Sequence, residues 1–223
     1  MNKPVEIIPT VVPNSLEDVE RVREKYAHLA HTIHVDVTDG VFAPNHTWLP
    51  SPDEKLPHLD SMHYEVHLMV TDPRSVGIAF AKAGASTILG HVEAIQAPEE
   101  GHQIIEAWRK HGVERIGMAS LLQTPLEKLD PYIAAVDTVL LMTIASIGTQ
   151  GIQFDERGPG RVEELHKKYP DLAIGVDGGV SMKNIRVLAK AGATRFCAGS
   201  ALSKSEDPAL EYARLRASAQ AEV

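Results

Sequence analysis

Two polar side chains in an otherwise apolar segment offer acid–base or metal chemistry. His34 and Asp36 alternate with β-branched residues over residues 31–38, and this period of two predicts a strand with both polar groups on one face. Asp39-Gly40 then breaks the strand. Polar groups at the carboxyl end of a strand are typical of barrel active sites. Taken alone, the pair is equally consistent with a structural hydrogen bond at a sheet edge.

A second imidazole and a second carboxylate follow near the ends of two other predicted strands. His67 lies in the strand over 62–70, and Asp177 ends the strand over 172–177. If these strand ends meet at one barrel mouth, the four side chains form a mixed nitrogen and oxygen donor set. Such a set suits zinc, iron, manganese or cobalt, whereas calcium prefers more oxygens. We therefore predict one divalent metal ion, with the ligands His34, Asp36, His67 and Asp177.

The elements that must position these residues alternate regularly along the chain. The pattern predicts eight strands, over residues 5–10, 31–38, 62–70, 86–91, 115–119, 136–143, 172–177 and 194–199. Helices are predicted over residues 16–26, 73–83, 98–111, shortly after 125, and over 160–169, 181–191 and 207–217. Residues 43–60 are predicted to form a long loop, with room for a short helix.

This alternation predicts an α/β protein with a parallel eight-stranded sheet, closed as a single (β/α)8 TIM barrel domain over residues 1–223. A doubly wound open sheet is the alternative. It would favour a Gly-x-Gly-x-x-Gly turn after the first strand, which the sequence lacks.

The composition narrows the class of function. The net charge of -8 and the lack of a basic cluster argue against nucleic acid binding. No signal-like segment and no run of about 18 apolar residues is present, so we expect a cytoplasmic protein with no membrane partner. The single cysteine, Cys197, allows no internal disulfide and is expected to be inert core. His46, His58 and His63 are expected to be solvated.

Two glycine-containing turns suggest an anion site. Asp177-Gly178-Gly179 and Gly199-Ser200 end the last two predicted strands, and each leads into a helical segment. Glycine lets backbone N–H groups approach an anion, and phosphate sites recur at these turns of the fold. The alternative interpretation is that these glycines only form tight turns.

Several segments, in this order and spacing, resemble the ribulose-phosphate 3-epimerase family over about residues 7–202. They are 34–40 with Phe42 and Pro44-Asn45, His67-Leu68-Met69, His91-Val92-Glu93-Ala94, Thr124-Pro125-Leu126-Glu127, Leu141-Met142-Thr143, Val176-Asp177-Gly178-Gly179-Val180, Ala191-Gly192-Ala193 and Ala198-Gly199-Ser200-Ala201.

The resemblance implies a metal-assisted proton transfer at C3 of D-ribulose 5-phosphate, giving D-xylulose 5-phosphate through a cis-enediolate. Asp36 and Asp177 would bind the metal and move protons on opposite faces of the sugar, while His34 and His67 would be ligands. A homo-oligomer is also implied. The substrate-binding set would be Thr10, His67, Met69, Met142, Gly148, Gly178, Gly179, Gly199 and Ser200, although the two methionines are also consistent with ordinary core residues.

The chain departs from the family pattern near the substrate. Thr10 replaces a serine, Thr38 a methionine and Leu121-Leu122 an Asn-Pro, and residues 145–153 replace a phosphate-clamping loop. A shift to another ketose phosphate, such as allulose 6-phosphate, or a catalytically weak sugar-phosphate-binding barrel therefore stays open. A related decarboxylase or aldolase-like barrel is disfavoured, because residues 34–39 lack the lysine of its Asp-x-Lys-x-x-Asp cluster.

Overall fold

Eight parallel strands close into one barrel in the computed structural model, which describes residues 4–148 and 152–221. Each strand pairs with the next along the chain, and β1 pairs with β8. This confirms the predicted TIM barrel. The strands are β1 (Glu6–Val11), β2 (Thr32–Thr38), β3 (His63–Met69), β4 (Thr87–His91), β5 (Arg115–Ser120), β6 (Thr138–Met142), β7 (Ala173–Asp177) and β8 (Arg195–Ala198).

Helices connect the strands on the outside of the barrel. They are α1 (Leu16–Tyr26), α2 (Pro73–Ala83), α3 (Pro98–Lys110), α4 (Gly158–Lys168), α5 (Ile185–Ala191), α6 (Ser200–Ser203) and α7 (Pro208–Gln220), with 3-10 turns at Val92–Ala94 and Leu126–Tyr132. The start of α2 follows its sequence signals, because Asp72 accepts a hydrogen bond from the Ser75 N–H and Pro73 occupies the first turn. Within the described residues, every helix is too short or too polar to cross a membrane.

Two sequence predictions need correction. Residues 43–60 contain no helix. The helix predicted from 181 begins at Ile185, because the Asn184 side chain holds the preceding residues in a turn. Its Oδ1 accepts the Ser181 N–H at 2.9 Å, and its Nδ2 donates to the Gly179 carbonyl at 2.9 Å. A side chain that bonds its local backbone in this way competes with the helix.

Strand alternation separates two packed regions. On β2, Ile33, Val35 and Val37 face the helices, while His34 and Asp36 face the barrel interior. The outer region holds the large buried side chains Tyr64, Phe80, Trp108 and Phe196. Burial of a large apolar side chain contributes about 1.5–3 kcal/mol, so this outer core is the main source of stability. Because the outer core supplies most of the stability, polar residues can occupy the interior of the barrel mouth.

Candidate metal centre and active site

Four side chains from three strands converge at the carboxyl end of the barrel. Parallel pairing sets Asp36 of β2 beside His67 of β3. Asp36 Oδ1 lies 3.2 Å from His34 Nε2 and 3.0 Å from His67 Nδ1. Asp177 Oδ2, from β7, lies 3.8 Å from His67 Nδ1. One donor atom of each residue lies within 4.8 Å of all the others, so the predicted ligand set forms one compact cluster.

The outer nitrogen of each histidine contacts a further partner. His34 Nδ1 lies 2.8 Å from Glu65 Oε1, and His67 Nε2 lies 2.9 Å from His91 Nε2. His91 Nδ1 in turn lies 2.9 Å from Glu93 Oε2. Histidines that bind metals commonly donate their other N–H in this way, which fixes the tautomer and the ring orientation. Protons held at these outer positions leave His34 Nε2 and His67 Nδ1, which both contact Asp36, as the nitrogens that would face a bound ion.

This arrangement fits a divalent metal ion. Two imidazole nitrogens and two carboxylate oxygens lie at the end of a cavity, and both imidazoles are fixed from behind. A mixed nitrogen and oxygen set suits first-row ions of borderline softness and discriminates poorly between them. The donor set therefore suits a divalent ion, and the geometry of the site and the availability of metals determine which ion binds.

The two carboxylates have opposite electrostatic environments. Burial alone would raise the pKa of Asp36, but the charge and hydrogen bond of His34, together with His67, lower it below its ordinary value. Burial and the negative charge of Asp36 raise the pKa of Asp177 to about 6. One carboxylate is therefore ionised, whereas the other can carry a proton close to neutral pH. Carboxyl groups whose pKa values are pushed apart are typical of acid–base pairs.

A cavity opens above this cluster to solvent. Asp36 and Asp177 reach it directly, whereas His34 and His67 are fully buried below it. Every other residue predicted to bind substrate lines it: Thr10, Met69, Met142, Gly148, Gly178, Gly179, Gly199 and Ser200. The structure therefore brings together residues from widely separated parts of the chain, as the predicted substrate site requires.

Glycines allow close packing at the edge of the cavity. Gly178 and Gly179 have φ values of 111° and 68°, which side chains rarely adopt. A Cβ on Gly178 would lie 2.6 Å from Ile144 Cγ1, and one on Gly179 would lie 2.8 Å from the Phe154 nitrogen. Both positions therefore require glycine. Of the loop after β6, residues 149–151, including Gly151, lie outside the described residues.

Several residues of the site were missed in the sequence. Glu65 and His91, which contact His34 and His67, were not singled out as functional, and neither were the residues behind them, Arg195 and Glu93. The available signal was a charged or imidazole residue inside an apolar strand, which is expensive unless it is paired. Glu93 also accepts the Leu121 N–H at 2.8 Å, where the family's Asn-Pro is replaced.

Two other residues differ in detail from expectation. Cys197 is buried, as predicted, but its Sγ lies 3.4 Å from His34 Nδ1 and it lines the cavity, so it is part of the site's surroundings. Thr38 is 2% exposed, and its hydroxyl lacks a hydrogen-bond partner within the described part of the chain. His46, His58 and His63 are exposed, as predicted.

The fold and the site define a class: a (β/α)8 barrel with a two-histidine, two-aspartate centre at the carboxyl ends of its strands and a glycine-lined cavity above it. Comparison with known sequences makes this specific. The chain belongs to the ribulose-phosphate 3-epimerase family, whose sequence profile matches residues 6–203. The resemblance inferred from its motifs is thereby confirmed.

Individual relatives cover most of the chain. It is 33% identical over 206 residues to ribulose-phosphate 3-epimerase from Schizosaccharomyces pombe, covering 91% of this chain and 88% of the relative. It is 32% identical over 210 residues to the Bacillus subtilis protein of the same name, covering 92% of both. Among solved structures, KGPDC from Streptococcus mutans aligns with a TM-score of 0.72 at 10% identity and covers 99% of both chains. This structural similarity shows the fold alone.

Proposed function

We propose that this protein is an isomerase that inverts C3 of D-ribulose 5-phosphate to give D-xylulose 5-phosphate. The observation that carries the proposal is the pair Asp36 and Asp177, which reach one small cavity with opposite pKa shifts. Inversion at carbon requires one group to remove a proton and another to deliver one on the opposite face. The names of the relatives supply the sugar phosphate.

His34, Asp36, His67 and Asp177 would hold one divalent ion. When bound, such an ion supplies Lewis-acid stabilisation of negative charge that develops beside the reacting carbon. The residues themselves perform the proton transfer. Asp36, ionised, removes the C3 proton in one direction, and Asp177, with a pKa of about 6, delivers a proton to the same carbon from the other face. Because C3 loses one proton and gains one, no net proton is consumed. The two aspartates exchange roles in the reverse direction.

The rest of the cavity would bind and orient the sugar phosphate. Met69 and Met142 provide an apolar surface beside the planar intermediate, and the Thr10 hydroxyl faces the same space. The turns at Gly178-Gly179 and Gly199-Ser200 offer backbone N–H groups to the phosphate, with Gly148 across the cavity. His67 belongs to this set through its position directly below the sugar.

A second candidate is a 3-epimerase of a ketohexose 6-phosphate, such as allulose 6-phosphate. A separate groove of about 1310 Å³ adjoins the cavity and shares Ile152, Gly179, Val180 and Ser200 with it. This groove offers extra space on the side where the phosphate is proposed to bind. The same two aspartates would act on C3 of the longer sugar.

The remaining inferences follow from the family and the composition. We infer that residues 1–223 act as one barrel domain, in a homo-oligomer, in the cytoplasm, with a small sugar phosphate as the partner and with no role for nucleic acid or membrane. Zinc, iron, manganese and cobalt all suit this donor set, and metal analysis of the purified protein would identify the ion.

The test is a coupled assay for xylulose 5-phosphate on metal-loaded protein, chelated protein and Asp177→Asn. We expect turnover only in the metal-loaded protein with both aspartates present. Exchange of the C3 hydrogen with solvent, followed by NMR, would separate an epimerase from a sugar-phosphate binder. If metal is bound and ribulose 5-phosphate is neither converted nor exchanged, the pentulose assignment is wrong, and hexulose 6-phosphates are assayed next.

A further inference from the structure

A chain of buried polar contacts crosses the barrel interior below the metal centre. Arg195, from β8, donates from Nη1 to Glu65 Oε2 at 2.5 Å and from Nε to Glu6 Oε2 at 2.9 Å. The other oxygen of Glu65 lies 2.8 Å from His34 Nδ1. Glu65 is fully buried, and Arg195 is 5% exposed. The guanidinium is thus connected to a metal-facing imidazole through one carboxylate.

The position of Arg195 follows from the strand registers. Arg195 pairs with Glu6 of β1 and points inward, two residues before the inward-facing Cys197. Glu65 points inward from β3, two residues before His67. Arg195 therefore lies below the metal centre, on a strand that β1 and β2 separate from β3. It reaches Glu65 across the interior, beneath the floor of the cavity.

Stability alone does not account for this ion pair. Taking a guanidinium and a carboxylate out of water is costly, and apolar residues of similar volume often replace such pairs without loss of stability. Apolar side chains do fill other buried positions of the barrel, as the inner cluster with Leu89, Leu140 and Ala119 shows. The pair instead holds the carboxylate that contacts His34 Nδ1.

Two groups compete for His34 Nδ1. Glu65 Oε1 lies 2.8 Å away, and Cys197 Sγ lies 3.4 Å away. A carboxylate that accepts from Nδ1 keeps a proton there, so that Nε2, beside Asp36, is the nitrogen that would contact a bound ion. A thiol can donate instead, which would leave Nδ1 bare and put the proton on Nε2, where it blocks metal binding. Which ring nitrogen of neutral His34 keeps the proton therefore depends on Glu65 staying in its place beside Nδ1.

We propose that Arg195 is a positioning residue that holds Glu65 as the acceptor for His34 and so maintains the metal-binding tautomer. The proposal rests on the proposed metal-dependent function. It assigns to a residue below the active-site cavity control over metal affinity, rather than a part in proton transfer or substrate binding.

The test compares Arg195→Met with Arg195→Lys, with metal affinity measured by chelator competition using zinc and cobalt. We expect Arg195→Met to weaken binding by about 10- to 100-fold, the usual effect of losing an outer partner of a metal-binding histidine. Arg195→Lys keeps the charge and should recover part of the loss. Glu6→Gln is the matched control. Glu6 is the second carboxylate that Arg195 contacts, and it accepts a hydrogen bond from Nε; its side chain is 36% exposed. Because Glu6 does not contact His34, this substitution should leave metal affinity unchanged within error.

A second variant separates positioning from folding. Arg195→Met/Cys197→Ala removes the competing thiol, so it should bind metal more tightly than Arg195→Met, although it loses a further buried group. Thermal unfolding of each metal-free variant provides the folding control. Recovery of affinity without recovery of metal-free stability supports the proposal. Equal affinity in wild type and folded Arg195→Met, or no gain on removing the thiol, overturns it. Failure of wild type itself to bind metal would contradict the proposed function instead.

Discussion

His67 Nε2 lies 2.9 Å from His91 Nε2, so a metal-facing imidazole is supported by a second imidazole rather than by a carboxylate. Burial lowers the pKa of His91 to about 4 even though Glu93 opposes the shift, so His91 is neutral. Neutral His91 donates a hydrogen bond from Nδ1 to Glu93 and accepts one at Nε2 from His67. In this relay a proton on His67 Nε2 then bonds to His91, and His67 Nδ1, which contacts Asp36, is the nitrogen that would face a bound ion.

Replacing His91 by phenylalanine keeps a ring but removes the acceptor for His67. The His67 N–H would then be buried without a partner, at a cost of about 1–3 kcal/mol, and the wrong tautomer would become accessible. We expect about 10- to 100-fold weaker metal binding, measured by chelator competition. His28→Phe, at an exposed histidine, is the control. Unchanged affinity in a folded His91→Phe protein would show that the relay does not orient His67.

Metal affinity should depend on pH through Asp177. Its pKa of about 6 in the metal-free protein means that a proton competes with the metal below that pH. We expect the Asp177 proton to lower affinity by about tenfold per pH unit below 6 and to contribute nothing above it, where protonation of His34, whose pKa Asp36 raises, still competes. Isothermal titration in buffers of different ionisation enthalpy would count the released protons. Below pH 6, Asp177→Asn should release one proton fewer than wild type on metal binding. An equal number of released protons would show that the proton comes from another group.

The same shift has a consequence for the stability of the metal-free protein. The folded state binds the Asp177 proton more tightly than the unfolded chain, because the folded pKa of about 6 exceeds the ordinary 3.8. This contribution to the free energy of unfolding is present below about pH 4 and is lost as the pH rises through 6. Urea unfolding of chelated protein between these limits, compared with Asp177→Asn, measures it. A pH dependence identical in both proteins would contradict the assignment.

Asp39 fixes the loop that follows β2. Its carboxylate accepts from the Thr71 N–H and hydroxyl, each at 2.7 Å, and from the N–H groups of Val41 and Phe42. Burial opposes these bonds, yet together they lower its pKa to about 2. Its contribution to stability is therefore present above about pH 4 and lost as the pH falls through 2.

Asp39→Ala should reduce the free energy of unfolding by about 1–2 kcal/mol, discounted for partial exposure, and should speed hydrogen exchange at Val41 and Phe42. Urea unfolding and exchange mass spectrometry measure the two effects. Asp53→Ala, at an exposed aspartate, should stay within about 0.5 kcal/mol of wild type. Wild-type exchange rates in Asp39→Ala would show that other contacts hold the loop.

The fold could be predicted because its signals are local and repeated. Each strand shows alternation or a short apolar run, and glycines such as Gly84, with a φ of 101°, end helices where the sequence indicates. The start of α5 could not be predicted in this way. The bond from the Asn184 side chain to the Gly179 carbonyl joins two turn residues, and no periodic pattern reports it.

That the four predicted ligand residues lie close together could likewise be predicted, since the barrel places strand ends at one mouth. The supporting residues were not, because Arg195 and Glu65 are 130 residues apart and meet only through the closed barrel. Nor does a sequence report which nitrogen of His34 or His67 is protonated, since this follows from partners on other strands.

Gly179 and Gly160 provide a direct test of where backbone freedom is required. Gly179 has a φ of 68°, and an added Cβ would lie 2.8 Å from the Phe154 nitrogen, whereas one on Gly160 would meet nothing within 4 Å. Gly179→Ala should therefore destabilise the protein by about 2–3 kcal/mol and weaken inorganic phosphate binding, because the turn must move away from the cavity. Gly160→Ala, in α4, should stabilise it by about 0.5–1 kcal/mol. Urea unfolding and phosphate titration of both variants measure these effects. Because the two substitutions are chemically identical, equal stability changes would show that the turn at Gly179 relaxes freely and that its backbone does not shape the phosphate end of the cavity.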